Sequence, residues 1–346
     1  MVPQYPPKPV PGDKVAIVSP SSGLPAVLPL PYELGLRRLR ESFGLVPVEY
    51  PTTRRWGASP AERAADLHAA FADPSVKAVI SSIGGDDQIT VLPHLDRALI
   101  AANPKPFFGF SDCTNLLAFL AECGIVGFHG GAVMTEFGRP GAMHPATEAS
   151  LRAALFDSGP YVLTEPAEFG ETSGDWADPA TFEHPPAMRE AGEWEWRNPG
   201  PAVEGPTWGG SLEIVSWLLM ADRCIPGPDR FDGAVLCFET SEEMPSATDV
   251  YRILRSIGER GWLERCAAFL MGRPKSSSMD RRLDASDADR FRAEQREAVI
   301  RAVDEYAPGK PAVLGVDFGH TDPQFTIPYG GTVRVDGATR SLTATY

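Results

Sequence analysis

The chain has 346 residues, 43% of them hydrophobic, and a formal net charge of −14. That length supports about two domains with a full buried core. The negative balance argues against nucleic acid and anionic membrane as partners, and no run approaches the roughly 18 apolar residues of a membrane span.

Residues 1–11 are rich in proline and lack the apolar stretch of a secretory leader. The expected location is therefore the cytoplasm. Five cysteines, Cys113, Cys123, Cys224, Cys237 and Cys266, form no C-x-x-C pair and read as reduced core residues.

Strand and helix alternate through the first 130 residues. Lys14 to Val18 is a short apolar strand, Tyr32 to Phe43 a helix, and Val46 to Tyr50 a second strand. Ser59-Pro60-Ala61-Glu62 starts a helix with an N-cap serine, a first-turn proline and a capping glutamate. Val76 to Ile83 is a third strand, ending in Gly84-Gly85-Asp86-Asp87, and a helix is predicted over Ile89 to Leu99. Strand Lys105 to Phe110 then leads through Ser111 into a helix from Asp112 to Glu122. This alternation predicts a doubly wound, mostly parallel α/β sheet covered on both faces. Ligands of such sheets sit beyond the carboxyl ends of the strands.

From about Tyr161 to Pro206 the pattern dissolves into a stretch rich in Pro, Gly, Glu and Trp, read as an irregular connection. The expected division is an N-terminal domain over 1–160, a connecting loop over 161–206 and a smaller α/β domain over 207–346. In the last segment Leu212 to Met220 reads as a helix. Strands are predicted at Ala234–Phe238, Ala267–Met271 and Ala312–Val316, a charged helix at Ala288 to Tyr306, and a hairpin around Asp336-Gly337.

The stretch Gly109-Phe110-Ser111-Asp112-Cys113-Thr114 carries the chemistry. A serine between a buried strand and a helix exposes its hydroxyl beside free helix N–H groups, as in a nucleophile elbow. Cys113 stands where that motif has glycine, and the plainer alternative is an N-cap serine. A serine nucleophile needs a base and an acid that orients it. Of six histidines, His320 and His129 follow strands next to glycine. Glu239, at the end of a buried strand, is the best-placed acid, and Asp317 is its rival. The clusters Asp86, Asp87, Asp112 and Asp284, Asp287, Asp289 lack the spacing of a cation loop and read as solvated or capping carboxylates.

Several segments together resemble the LD-carboxypeptidase family of serine peptidases, and most of all its microcin C immunity branch. They are Ile83-Gly84-Gly85-Asp86-Asp87, Gly109 to Thr114, Gly209-Gly210-Ser211-Leu212, Phe238-Glu239-Thr240-Ser241-Glu242, Gly272-Arg273-Pro274 and Phe318 to Pro323. The resemblance implies a Ser-Glu-His triad that falls on Ser111, Glu239 and His320, an active site between domains, and a homodimer. It leaves His129 as a structural residue.

On this reading the backbone N–H groups of Gly85 and Asp112 bind the oxyanion, and neither metal nor other cofactor is required. Two substrate classes follow from the family: peptidyl or aminoacyl nucleotides, or murein tetrapeptides that release D-alanine. The segment after Glu239 and the tryptophans of the connection favour the first, with Trp176 as the aromatic that stacks on a base. An inactive muropeptide-binding protein and a Cys113-dependent amidotransferase-like enzyme are the alternatives from other classes.

Overall fold

The computed structural model describes residues 4–171, 174–278 and 281–346. Two sheets dominate it. The first has six strands in the order Ile327–Tyr329, Gly127–His129, Phe107–Gly109, Val76–Ser81, Lys14–Val18 and Val46–Glu49. All its pairings are parallel except that of Ile327–Tyr329 with Gly127–His129. The short apolar runs of these strands are buried on both faces, as a helix-covered parallel sheet requires.

The second sheet has eight strands. Val203–Ser211, Val235–Glu239, Ala268–Gly272 and Ala312–Val316 form its parallel centre. Helices Leu212–Ala221, Ala247–Glu259 and Ala285–Tyr306 make the crossovers. Antiparallel strands flank this centre, among them the C-terminal hairpin of Thr332–Asp336 with Ser341–Thr345. The molecule is thus α/β with two parallel-rich sheets.

Local sequence explains several boundaries. Ser59 and Glu62 close a reciprocal capping box at the head of helix Pro60–Ala72. Asp284 caps helix Ala285–Tyr306 by accepting from the Asp287 N–H at 2.8 Å. The helix expected over Ile89 to Leu99 does not form. Pro93 breaks that stretch into two 3-10 turns, and a short helix, Arg97–Ala102, restarts behind the Asp96 cap.

The connection over 161–206 is more ordered than expected. Glu168–Phe169 pairs with Arg189–Glu190, and Glu195–Arg197 extends the second sheet beside Ala312–Val316. These pairings are short and distant in sequence, so periodicity does not reveal them.

The two sheets share their cores. One apolar cluster runs from Val79 and Phe107 through Leu116 and Leu117 to Trp208, Leu236 and Phe269. Strand Ile327–Tyr329 belongs to the C-terminal half of the chain yet completes the edge of the first sheet.

Candidate active site

Carboxyl ends of parallel strands from both sheets converge on a cleft of about 860 Å³, lined among others by Gly84, Ser111, Trp176, Glu242, Lys275 and His320. Ser111 follows strand Phe107–Gly109 and opens the 3-10 turn that leads into helix Thr114–Glu122. Its φ of 59° places a non-glycine residue in the left-handed region, a conformation that costs of order 1–3 kcal/mol and is typical of functional turns. Phe110, not Ser111, occupies the cap position, and no side chain caps the turn. The N-cap alternative for Ser111 therefore fails. Glycine is needed at position 84, because a Cβ there would sit 3.0 Å from the Ser111 Cβ and 3.4 Å from the Asp112 N.

Asp112 is not the solvated carboxylate expected from sequence. It is fully buried, accepting from the Gln88 N–H at 2.9 Å and from Asn115 Nδ2 at 2.8 Å. Burial pushes its pKa up to about 6, against the lowering effect of the hydrogen bonds from Gln88 and Ser21. Its carboxyl group ties the serine turn to the segment after Gly84-Gly85. Asp87 pairs with the buried Arg63 at 2.6 Å. Cys113 is fully buried behind the turn, and its thiol is pushed up to about 12 by that burial, which leaves it protonated and inert.

Glu239, the last residue of strand Val235–Glu239, has no exposed surface, and its Oε2 lies 2.6 Å from His320 Nδ1. The space for this carboxylate comes from glycine: a Cβ on Gly319 would stand 2.8 Å from Glu239 Oε2. The second Glu239 oxygen lies 3.9 Å from His129 Nε2. Burial holds the His129 imidazole down at about 4, so it is neutral. Asp317 is committed elsewhere. It accepts from Arg273 Nε and from Trp194 Nε1, both at 2.8 Å, and so fastens the segment before His320 to the connection.

His320 is only 6% exposed at its side chain, and Phe110 meets its ring edge-on at 4.9 Å. Its Nε2 lies 3.1 Å from Glu242 Oε2 but has no hydrogen-bond partner among the described residues, Ser111 included. Burial acts to lower the His320 pKa, and the neighbouring Glu239 and Glu242 carboxylates outweigh it, raising it to about 9. The close approach of Glu242 was not assigned from sequence. Its only sequence signal is the acidic run that follows Glu239.

Gly85 lines the same cleft, where a Cβ on it would meet Ser21 and Ser22 at 3.1 and 3.2 Å. Trp176 also lines it, with 7% of its surface exposed and its Nε1 buried without a partner among the described residues.

A serine on a strained strand-to-helix turn and a carboxylate-bound histidine line one cleft, an arrangement compatible with a hydrolase of the serine type. Residues 15–130 match the family described as LD-carboxypeptidase N-terminal domain, and residues 204–335 match LD-carboxypeptidase C-terminal domain. The chain belongs to the LD-carboxypeptidase family and is a serine-type carboxypeptidase.

It is 26% identical over 289 residues to the microcin C7 self-immunity protein MccF of Escherichia coli, covering 82% of this chain and 78% of that protein. It is 28% identical over 285 residues to a Bacillus subtilis protein named "probable murein peptide carboxypeptidase", covering 81% of this chain and 75% of the relative. In fold it resembles a solved MccF-like protein from Bacillus anthracis, with a TM-score of 0.85, 22% identity and coverage of 99% and 100% of the two chains. It also resembles microcin C7 self-immunity protein MccF solved with aspartyl sulfamoyl adenosine, with a TM-score of 0.83, 24% identity and 99% of each chain covered.

Proposed function

We propose that this carboxypeptidase hydrolyses the amide-type bond that joins an aminoacyl or peptidyl group to a nucleotide-like moiety. The observation that carries the mechanism is the 2.6 Å contact of Glu239 with His320 Nδ1 in the same cleft as Ser111. His320, as its neutral form, takes the Ser111 proton through Nε2 while Ser111 Oγ attacks the carbonyl carbon. Glu239 fixes the tautomer and stabilises the imidazolium that forms. The backbone N–H groups of Gly85 and Asp112 hold the developing oxyanion. The imidazolium then protonates the leaving nitrogen, and water releases the acyl group from Ser111.

Two things support the nucleotide class. Trp176 lines the cleft and could stack on a base, and MccF relatives have been solved with aspartyl sulfamoyl adenosine and glutamyl sulfamoyl guanosine. Similarity to the B. subtilis protein named for murein peptides and to a murein tetrapeptide carboxypeptidase of Pseudomonas aeruginosa favours the second reading, release of D-alanine from tetrapeptides. A cytoplasmic homodimer completes the proposal, by family resemblance.

Mass spectrometry of products from an aminoacyl sulfamoyl adenosine and from a murein tetrapeptide separates the readings. Release of sulfamoyl adenosine is expected, and release of D-alanine alone would overturn the substrate assignment.

A further inference from the structure

Glu242 is the unexplained group in the cleft. It is 52% exposed at its side chain, yet its Oε2 stands 3.1 Å from Nε2 of an almost fully buried histidine. That nitrogen has no hydrogen bond among the described residues and is the one Ser111 must reach in the proposed mechanism. The groups that face His320 are Glu239 on Nδ1, Glu242 on Nε2, and Glu243, Lys275 and His129 at longer range. Glu243 and Asp86 add negative charge on the same side of the cleft, and Glu243 is held above the ordinary carboxylate range by burial, Glu242 and Asp86. In the free cleft, Glu242 keeps the imidazole in its charged form, and a charged imidazole has no lone pair to accept the serine proton.

We propose that Glu242 is the docking point for the α-ammonium of the acyl residue, and that an ammonium seated there frees His320 Nε2 to serve Ser111. The α-nitrogen is two bonds from the carbonyl under attack, so it lies within reach of a carboxylate that touches the base of that serine. Pairing Glu242 with the ammonium removes one of the two carboxylates that hold the proton on His320. The ammonium's own charge then repels that proton, which leaves Nε2 for solvent water. Substrates with a free α-amino group are therefore favoured over N-blocked ones, and substrate binding itself produces the active base. This rests on the proposed aminoacyl-bond hydrolysis.

The test uses the whole protein labelled with 15N-histidine, with the His320 signals assigned by their loss in His320→Gln. In the wild type the His320 titration midpoint is expected well above that of a free imidazole. Glu242→Gln is expected to lower it by about one unit, equivalent to about a tenfold change in proton affinity. Glycinamide is expected to lower the wild-type midpoint and leave that of Glu242→Gln unmoved, and N-acetylglycinamide to move neither. An unchanged midpoint in Glu242→Gln, or equal effects of the two amides, would overturn the proposal.

In parallel, kcat/KM is compared for an aminoacyl sulfamoyl adenosine and its N-acetyl form. A preference of about tenfold or more for the free amine is expected in the wild type, shrinking to about threefold or less in Glu242→Gln. Turnover of both forms alike, with no glycinamide shift, would refute the ammonium site and leave the hydrolase reading standing. The expected glycinamide shift without turnover of either form would refute the nucleotide substrate and leave the ammonium site standing.

Discussion

At the scale of single residues, the chemistry depends on how charge is distributed around one imidazole. His320 is buried, and burial alone would keep it neutral, but Glu239 and Glu242 raise its pKa to about 9. A raised histidine is protonated below its pKa, so the neutral base form that the proposed mechanism requires grows as pH rises. For an N-acetylated substrate, which carries no titrating amine, we therefore expect kcat/KM to climb through neutrality and level off only near pH 9, the limb reporting free-enzyme His320. A flat pH–rate profile between pH 6 and 9 would contradict the charge pattern.

The residues of this site were unevenly legible. Ser111 stood out because it lies between an apolar strand and a helix, where a nucleophile elbow puts its serine, although an N-cap serine gives the same local pattern. Glu239 could be proposed because it ends a buried strand where an unpaired acid is costly, and His320 because it follows a strand next to a glycine with a carboxylate on each side. The burial of Asp112 and the placement of Glu242 against Nε2 depend on side-chain directions that no local pattern encodes. In both cases an acid next to other acids reads from sequence as solvated.

At the scale of elements, the loops after the strands are held by close backbone contacts and buried charge pairs. Gly319 leaves room for Glu239 that a methyl group would fill. Gly319→Ala should push the carboxylate off His320 Nδ1 and lower kcat by about 100-fold, the scale of an ångström's misplacement. A circular-dichroism melt and steady-state kinetics would check this, since damage to positioning lowers kcat far more than Tm.

Arg273 anchors the segment before His320 through Asp317, which has no exposed surface. Arg273→Ala leaves that carboxylate buried without its cation, a loss of about 3–5 kcal/mol that urea denaturation would measure. Most of the strands and long helices were readable from periodicity. Where Pro93 interrupts an apolar pattern, and where the connection over 161–206 makes distant pairings, the pattern misled. Local periodicity is blind to a broken backbone ladder and to partners more than a hundred residues away.

At the scale of the molecule, the parallel α/β class followed from alternating elements, but the joining of the two halves did not. Strand Ile327–Tyr329 crosses into the first sheet, and apolar clusters run through both sheets. The candidate site depends on this joining, since Ser111 follows a strand of the first sheet, whereas Glu239 ends a strand of the second and His320 lies in the loop after another. Such sharing predicts one cooperative unfolding transition, with tryptophan fluorescence and far-ultraviolet circular dichroism coinciding in denaturant. Two separated transitions would show that the halves fold independently.

The central claim is that Ser111 is the nucleophile of this assembled site. Its most direct test is turnover and affinity of Ser111→Ala with an aminoacyl sulfamoyl adenosine that the wild type cleaves. We expect kcat to fall by at least about 1,000-fold while calorimetric Kd stays close to the wild-type KM-derived affinity. Turnover within a few-fold of wild type in Ser111→Ala would contradict the account.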